Sequence, residues 1–411
     1  MRKLLKSLGP GLLFAGAAIG VSHLVQSTRA GADFGFGLLW ALLLINLVKY
    51  PSFQFGTRYA AATGKSLLDG YLGLGKWVLV AYFILSLLTM FTIQTAVTIV
   101  TAGLAVALFG IGNVAIWSVV ITLICAGILA IGKFKILDHL MKVIIITLTI
   151  STVVAVIFAY INYTDVYQIS ETKGLSFKQV LPTDALGVAF LIAFMGWMPA
   201  PLDISVWQSL WTKEKAKTQK ITVKNALLDF NIGYVGTVII GLGFVTLGAL
   251  VMYGSGETFS SSGSVFAGQL IGMYTASLGD WATVIIGIAA FTTMFSTTIT
   301  TLDASPRAME KTAVLLKLPT VLQSYSIWIL VLAIGTGGIL FFLINEMGTL
   351  VQIATVLSFL TAPLYALGNM LLFSDKNIPK EAHLSTSMKV YAWVSIFALV
   401  LFSAYYISTL F

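Results

Sequence analysis

Residues 16–23 read GAAIGVSH and lie inside an otherwise apolar run that begins near residue 11. A helix that crosses lipid must satisfy its backbone hydrogen bonds internally, and unwound backbone at membrane depth is tolerated only where it lines a cavity or is buried in protein. Gly16 and Gly20 permit unwinding without forcing it. Glycines at this spacing are also typical of close helix packing, so this stretch alone leaves both interpretations open.

A second interrupted segment favours unwinding. Residues 194–203 read FMGWMPAPLD. Pro199 and Pro201 each lack a backbone N–H, so an unbroken helix cannot run through them, although a simple proline kink is an alternative. The two interruptions are five predicted spans apart. Paired breaks at matching places predict two inverted repeats, with a substrate site between them near the membrane midplane.

The composition is that of a polytopic membrane protein. Of the 411 residues, 58% are hydrophobic and 10% are charged. Separate apolar runs of about 20 residues predict an all-α transmembrane fold rather than a membrane β-barrel. The single cysteine, Cys125, excludes a disulfide framework. We predict eleven spans, near residues 11–30, 36–62, 77–108, 113–131, 138–161, 185–210, 226–253, 280–303, 325–344, 349–373 and 389–410.

These spans predict one transmembrane domain over residues 1–411. The first repeat covers about 11–161, the second covers about 185–373, and an extra helix follows at about 389–410. We expect a monomer whose surroundings are the lipid bilayer.

The net charge of +8 orients the chain in the membrane. With the N-terminus inside, 20 of the 24 lysines and arginines fall in inner segments, while Arg29, Lys173 and Lys178 fall outside and Lys49 lies within a span. This bias is typical of membrane proteins and needs no nucleic-acid partner. We therefore expect an integral protein of a bacterial inner membrane, with a cytoplasmic N-terminus and an outer C-terminus.

At its two interruptions the sequence resembles the Nramp family of divalent-metal transporters, and the similarity covers most of the chain. The matching segments are GPGLLFAGAAIGVSHLVQSTRAGADFGFGLLWALLLINL at 9–47, GWMPAPL at 196–202, FSTTITTLD at 295–303 and VLSFLTAPLYAL at 356–367. The resemblance implies a LeuT-type fold of eleven helices that works by alternating access.

The resemblance also places the family's metal ligands on this sequence. The family's first helix carries Asp-Pro-Gly-Asn, and the register puts Gly20 and His23 at the Asp and Asn positions. The Met of the family's Met-Pro-His is kept as Met198, whereas the His corresponds to Ala200. Since Gly20 supplies no carboxylate, an oxygen-only site for Mg²⁺ or Ca²⁺ is not expected. Imidazole and thioether ligands from His23 and Met198 suit softer transition metals.

Other positions complete the predicted site. The family's helix 6 carbonyl ligand maps to Met195, and its helix 10 glutamine maps to about Ala354 or Thr355. An isolated histidine such as His23 is usually a hydrogen-bonded core residue, but its place in a break favours a functional role. We expect one cavity near the midplane to be surrounded by Gly20, Ser22, His23, Met195, Met198 and Thr355.

Four further residues are candidates for coupling or gating. Gln94 stands, with Val97, where the family keeps the acids of its proton route, which predicts transport without that proton movement. Lys49 and Asp203 are ionisable groups within spans, and such groups are expensive in lipid. We expect them to face the interior and interact, as a structural pair or as a coupling device. Thr297 could help to form a sodium site, although hydroxyls in membrane helices commonly bond to their own backbone.

These observations lead to competing functions. The first is a secondary or facilitative transporter of a small cation, with a divalent metal ion as the favoured substrate. The second is a LeuT-type transporter of an amino acid or amine, possibly with sodium, which the loss of the family's Asp and the aromatic Phe194, Trp197 and Trp207 favour. A sensor or structural protein is disfavoured by the paired breaks. The sequence has no catalytic constellation or nucleotide-binding loop, so we predict neither enzymatic activity nor a bound cofactor beyond the transported ion.

Overall fold

The chain folds into helices throughout the residues that the computed structural model describes, which are 9–161, 177–218, 221–254, 259–260, 262–279, 282–373 and 378–409. No β-strand occurs among them, which confirms the all-α prediction. The predicted N-terminal tail at 1–8 and much of the predicted outer loop between 161 and 185 lie outside the described residues.

Fourteen α-helices follow one another in the described part of the chain. A π-helical segment, Ser22–Ser27, leads directly into the second of them, and short 3₁₀ turns occur at Thr320–Gln323 and Lys380–Ala382. The α-helices are α1 Pro10–Ala18, α2 Thr28–Phe34, α3 Leu39–Thr63, α4 Leu67–Leu74, α5 Lys76–Phe109, α6 Val114–Ile161, α7 Ala185–Trp197, α8 Ile204–Ala216, α9 Val223–Val251, α10 Gly263–Leu278, α11 Ala282–Leu316, α12 Tyr325–Leu343, α13 Met347–Leu371 and α14 Thr386–Ser408.

Both predicted interruptions are confirmed. The first predicted span stops at Ala18 and resumes at Ser22, and its two halves are bent by 48°. The sixth predicted span stops with α7 at Trp197 and resumes with α8 at Ile204, so that Pro199 and Pro201 lie in the gap. The two proline nitrogens cannot donate, which is why helical hydrogen bonding ends there.

The fourth and fifth predicted spans differ from the sequence prediction. We expected separate helices at 113–131 and 138–161, but the backbone is helical from Val114 to Ile161. The predicted inner loop between residues 131 and 138 contains no proline and only one glycine, Gly132, so nothing in its sequence forces the helix to stop. Six described helices are long and apolar enough to cross a membrane, or seven if the bent first pair counts as one. Eleven separate spans therefore remain a prediction, as does the inverted-repeat symmetry.

The helix α10 was not predicted. It lies between the seventh and eighth predicted spans and packs against α5 and α11. Its first residue approaches α5 closely, since a Cβ on Gly103 would meet the carbonyl oxygen of Gly263 at 2.4 Å. The helix has 16 residues, fewer than the roughly 20 apolar residues that predict a membrane-spanning helix, so its sequence did not indicate a span.

Glycines let the broken helices lie against their neighbours. A Cβ on Gly31 of α2 would lie 2.1 Å from the carbonyl oxygen of Val245 in α9, and a Cβ on Gly56 of α3 would lie 2.1 Å from that of Ser205 in α8. Small residues are the usual means of close helix contact in membranes, where lipid gives no hydrophobic drive to association. Backbone contact therefore fixes both halves of each broken span.

Pro51 interrupts hydrogen bonding within α3, two residues after the buried Lys49. A proline cannot donate to the carbonyl four residues earlier, which is that of Leu47. The hydroxyl of Tyr391 in α14 donates to that carbonyl at 2.6 Å. The hydroxyl of Tyr234 in α9 donates to the neighbouring carbonyl of Asn46 at 2.5 Å. Two tyrosines thus tie α3 to helices on either side.

We predict that Gly56→Ala destabilises the protein. The added Cβ would overlap the Ser205 carbonyl and push α3 away from α8, at a cost of about 1–3 kcal/mol. Gly236→Ala in α9 is the matched control, because a Cβ there meets nothing within 4 Å. Thermal unfolding of the purified protein in detergent measures both. Equal melting temperatures for the two variants would show that the contact does not hold the helices together.

Candidate functional site

The first break brings backbone carbonyls against α11. A Cβ on Gly20 would lie 2.6 Å from the Thr297 hydroxyl oxygen, so only glycine fits there. That oxygen lies 3.2 Å from the carbonyl oxygens of both Gly16 and Ile19. Thr297 is thus placed where a hydroxyl and helix 1 carbonyls meet, as a sodium site would require. Its oxygen is also 3.3 Å from the carbonyl of Thr293 in its own helix.

Ser22 joins the two breaks. Its hydroxyl oxygen lies 2.7 Å from the carbonyl oxygen of Ala18 in α1 and 3.3 Å from that of Pro199 in the second break. It also lies 2.7 Å from Nδ1 of His23. A single side chain therefore contacts the end of α1, the neighbouring imidazole and the unwound segment between α7 and α8.

His23 is fully buried, and protein atoms contact both of its ring nitrogens. Nε2 lies 3.0 Å from the carbonyl oxygen of Thr237 in α9. Because a carbonyl only accepts, Nε2 carries a hydrogen, and in a neutral ring Nδ1 then accepts the single hydroxyl hydrogen of Ser22, which the Ala18 carbonyl oxygen does not receive in that tautomer. This is the arrangement of a satisfied core histidine. Coordination of a metal through His23, which stays a prediction, would require one of these contacts to break.

Met198 lies beside His23 against α9. A Cβ on Gly241 would be 3.5 Å from the Met198 sulfur and 3.6 Å from Cδ2 of His23, so both side chains converge on this glycine. The structure therefore brings together the two residues predicted as metal ligands. Both are completely buried.

Lys49 contacts the second break directly. Its ammonium donates to the carbonyl oxygens of Met195 at 2.9 Å, Gly196 at 2.6 Å and Ala200 at 3.1 Å. The side chain is fully buried, as predicted. Among the residues that the structure describes, no ion pair joins it to Asp203, although the two charges interact at longer range. The expected interaction is therefore not a direct ion pair, because the backbone carbonyls accept all three ammonium hydrogens, and the interaction through water that was equally expected stays a prediction.

Two tyrosines that were not among the predicted site residues lie within electrostatic range of Asp203. The Asp203 carboxyl interacts electrostatically with Tyr82 of α5 and Tyr365 of α13, whose rings are 6.0 Å apart. In the described part of the chain, Asp203 Oδ1 and both tyrosine hydroxyls have no hydrogen-bond partner. Buried polar atoms without partners are rare and often mark a functional group. The sequence signal that could have identified these tyrosines is the presence of a polar hydroxyl within an otherwise apolar span.

Gln94 bridges α5 and α11 with uncharged groups. Its amide oxygen accepts from the Thr301 hydroxyl at 2.6 Å, and its amide nitrogen donates to the carbonyl of Thr298 at 3.3 Å. One turn along, the hydroxyls of Thr101 and Thr298 are 2.7 Å apart. A neutral hydrogen-bonded ladder thus stands where the resemblance places acids.

A small cavity lies between α1, α5, α8 and α11. It has room for about 20 Å³, enough for one water molecule or ion. Two predicted site residues, Ser22 and Thr297, line it together with Thr301 and the indoles of Trp197 and Trp207. The other members of the predicted set are not among the described residues that line it, namely Gly20, His23, Met195, Met198 and Thr355.

Thr355 contributes to packing through its backbone. Its hydroxyl donates within α13, with the carbonyl oxygens of Val351 and Gln352 at 2.7 and 2.9 Å. A Cβ on Gly196 would lie 2.1 Å from the Thr355 carbonyl oxygen, so α7 and α13 touch there. Trp197 strengthens this contact by donating from its indole nitrogen to Ser358 at 2.7 Å.

Polar contacts join neighbouring helices on the side predicted to be inside. Asp229 of α9 accepts from the backbone nitrogens of Gly9 at 3.1 Å and Gly11 at 2.8 Å, and so caps the start of α1. Asp69 of α4 accepts from Lys311 of α11 at 2.8 Å. Burial would raise the pKa of Asp69, but hydrogen bonds from Lys311 and Ser66 lower it overall.

The family model described as natural resistance-associated macrophage protein-like matches residues 11–409. The chain belongs to the Nramp family. Its relatives include an uncharacterized protein of Pasteurella multocida, 36% identical over 89% of this chain and 84% of that one. A divalent metal cation transporter of Staphylococcus saprophyticus is 26% identical over 75% of this chain and 70% of its own length.

Solved transporters show the same fold. A mutant of the Eremococcus coleocola manganese transporter superposes with a TM-score of 0.75 over 98% of this chain and 86% of that one, at 17% identity. The predicted LeuT-type fold is thereby confirmed. As an Nramp-family protein the chain is an integral membrane transporter and not an enzyme.

We predict that Asp69→Asn lowers stability at neutral pH. A carboxyl with a depressed folded pKa stabilises the fold above its unfolded pKa of about 3.9 and loses that contribution as the pH falls through the folded value. The partly exposed contact should be worth about 1 kcal/mol. Thermal unfolding at pH 7 and near pH 3.5 measures it, and the difference from the unmodified protein should shrink at the lower pH.

The control for Asp69→Asn is Glu214→Gln, which removes an ion pair with Lys217 on the exposed surface. We expect it to change the melting temperature little at either pH. If both variants behaved alike, the α4–α11 contact would contribute no more than a surface pair.

Proposed function

We propose that this Nramp-family transporter moves a small cation across the membrane by alternating access, with a divalent metal ion as the leading substrate. The observation that carries the proposal is the meeting of the two broken helices at Ser22 and Pro199 beside a cavity of about 20 Å³. Half-helix ends and freed carbonyls at the midplane are the means by which transporters of this fold hold ions. A cavity of this size favours an ion over a larger solute.

The proposed site is a remodelled one. Among the described residues, no group of three or more His, Cys, Asp or Glu side chains is placed to hold a metal. The candidate ligands are His23 and Met198, which converge on Gly241. Nitrogen and thioether donors favour a softer transition metal over Mg²⁺ or Ca²⁺.

Alternating access requires the site to open, in turn, toward the side predicted to be inside. In the proposal, α1 moves away from α9, which breaks the hydrogen bonds from Gly9 and Gly11 to Asp229. The Asp69–Lys311 contact would break in the same step because it ties α4 to α11. These contacts are polar links between helices on the side predicted to be inside.

A small organic solute is the second candidate. The cavity walls are largely apolar and include the indoles of Trp197 and Trp207. An aromatic wall suits an amine or an amino-acid side chain better than a bare ion. For such a substrate His23 would act as a hydrogen-bond partner, and Met198 would act as an apolar wall.

Uptake into proteoliposomes tests these candidates. We expect accumulation of Mn²⁺ or a softer divalent ion above that of protein-free vesicles, and Met198→Leu should reduce it about tenfold or more by removing the sulfur while keeping the bulk. Met309→Leu, at another fully buried methionine, is the matched control and should leave uptake unchanged. Uptake of pooled amino acids and amines without metal uptake would favour the second candidate.

We also predict that metal uptake proceeds without the proton movement of the family. Gln94, Val97 and Ala200 do not titrate, and Gln94 is held by uncharged partners in α11. Internal pH reported by a trapped dye should therefore stay constant during uptake. Acidification that accompanies uptake and disappears in Asp203→Asn would show instead that this carboxyl has taken over the coupling.

A further inference from the structure

The break between α7 and α8 leaves backbone carbonyls that no helix can satisfy. In an uninterrupted helix the carbonyl of Met195 would accept from the nitrogen four residues later, which is that of Pro199 and carries no hydrogen. The carbonyls of Gly196 and Ala200 also point into the break, where Lys49 reaches them. Three acceptors thus converge at one point within the buried interior.

The Lys49 ammonium matches this set of acceptors. An ammonium has three donors and no acceptor, and here each hydrogen has a carbonyl between 2.6 and 3.1 Å away. Two of these carbonyls belong to the last turn of α7, where the helix dipole favours positive charge. The side chain is 0% exposed, and Asp203 interacts with it only at longer range. Backbone oxygens therefore supply most of the interactions that replace the hydration of the ammonium.

This arrangement resembles the coordination of a dehydrated cation by carbonyls. We propose that the carbonyl oxygens of Met195, Gly196 and Ala200 form a cation-binding site that the Lys49 ammonium occupies as a tethered ion. A free cation reaches these oxygens only by competing with Lys49. The proposal rests on the proposed function only in taking the transported substrate to be a cation.

Competition of this kind makes Lys49 a specificity-determining residue. The repulsion between an ammonium and an ion grows with the ion's charge, so a divalent ion is penalised more than a monovalent one. In the described state the lysine also holds the second break together, since its stem comes from α3 and its contacts are on α7 and the unwound segment.

Chemical rescue tests whether the site accepts an ammonium. Lys49→Ala removes the three carbons and the nitrogen of propylammonium and leaves the carbonyls in place. We expect propylammonium to raise the melting temperature of the detergent-purified variant by roughly 2–4 °C. The unmodified protein and Lys49→Met, whose side chains fill the space, should not respond. Uncharged 1-propanol should not rescue Lys49→Ala, because it carries no charge.

Ion binding to Lys49→Met provides a second test that does not depend on the stability of Lys49→Ala. Removing the charge should tighten Mn²⁺ binding, measured by calorimetry in detergent, on the order of tenfold to a hundredfold relative to the unmodified protein. Lys49→Arg keeps the charge and should bind Mn²⁺ as weakly as the unmodified protein. The double variant Lys49→Met with Asp203→Asn should keep most of the gain, since the oxygens are those of the backbone.

The results that would overturn the proposal are specific. In the rescue experiment, equal rescue by propanol and propylammonium, or rescue by neither, would overturn it. In the binding experiment, an Mn²⁺ affinity that is unchanged in Lys49→Met would overturn it. So would a gain in Mn²⁺ affinity that vanishes in the double variant, because that gain would have come from Asp203. These binding measurements do not depend on transport. Tighter binding in Lys49→Met with no uptake by the unmodified protein would reject the proposed function and keep the tethered ion, whereas metal uptake with unchanged affinity would do the reverse.

Discussion

Backbone that unwinds at membrane depth must find partners for the groups it releases, and the central architecture of this protein follows from that constraint. At the second break the partner is a buried ammonium, with Lys49 donating to three carbonyls. Lys49 lies in α3 beside Pro51, and tyrosines of two other helices satisfy the carbonyls near that proline. The break between α7 and α8, whose carbonyls cannot be paired within a helix, thus fixes how several helices pack.

Hydroxyl groups contact the carbonyls that the first break releases. Ser22 contacts the end of α1 and the second break, and Thr297 contacts the two carbonyls of Gly16 and Ile19. Gly20 must be a glycine because the Thr297 hydroxyl occupies the place of its side chain. The two breaks therefore differ electrostatically, since neutral donors serve one and a fixed positive charge serves the other.

This difference changes how ion transport would work within the Nramp fold. The resemblance places an aspartate where this chain has Gly20, so the negative charge near the ion is lost while the positive charge of Lys49 lies in the second break. The remaining acid close to the second break, Asp203, interacts electrostatically with Tyr82 and Tyr365, and its Oδ1 has no hydrogen-bond partner among the described residues. A cation that enters must then be held by dipoles, a thioether and an imidazole, which are weaker ligands for hard ions.

The sequence by itself determined the membrane class, the two breaks and the family, because apolar length, prolines and matching motifs are local and do not depend on neighbours. It also identified Lys49 and Asp203 as unusual, since charge within a span is visible in sequence. Their partners were decided only by the tertiary structure. Backbone carbonyls carry no sequence signature, so nothing indicated that Lys49 would bind the α7 break and leave Asp203 to Tyr82 and Tyr365. The hydrogen bond between His23 and a carbonyl of α9 could not be predicted either, because that acceptor is also a backbone group.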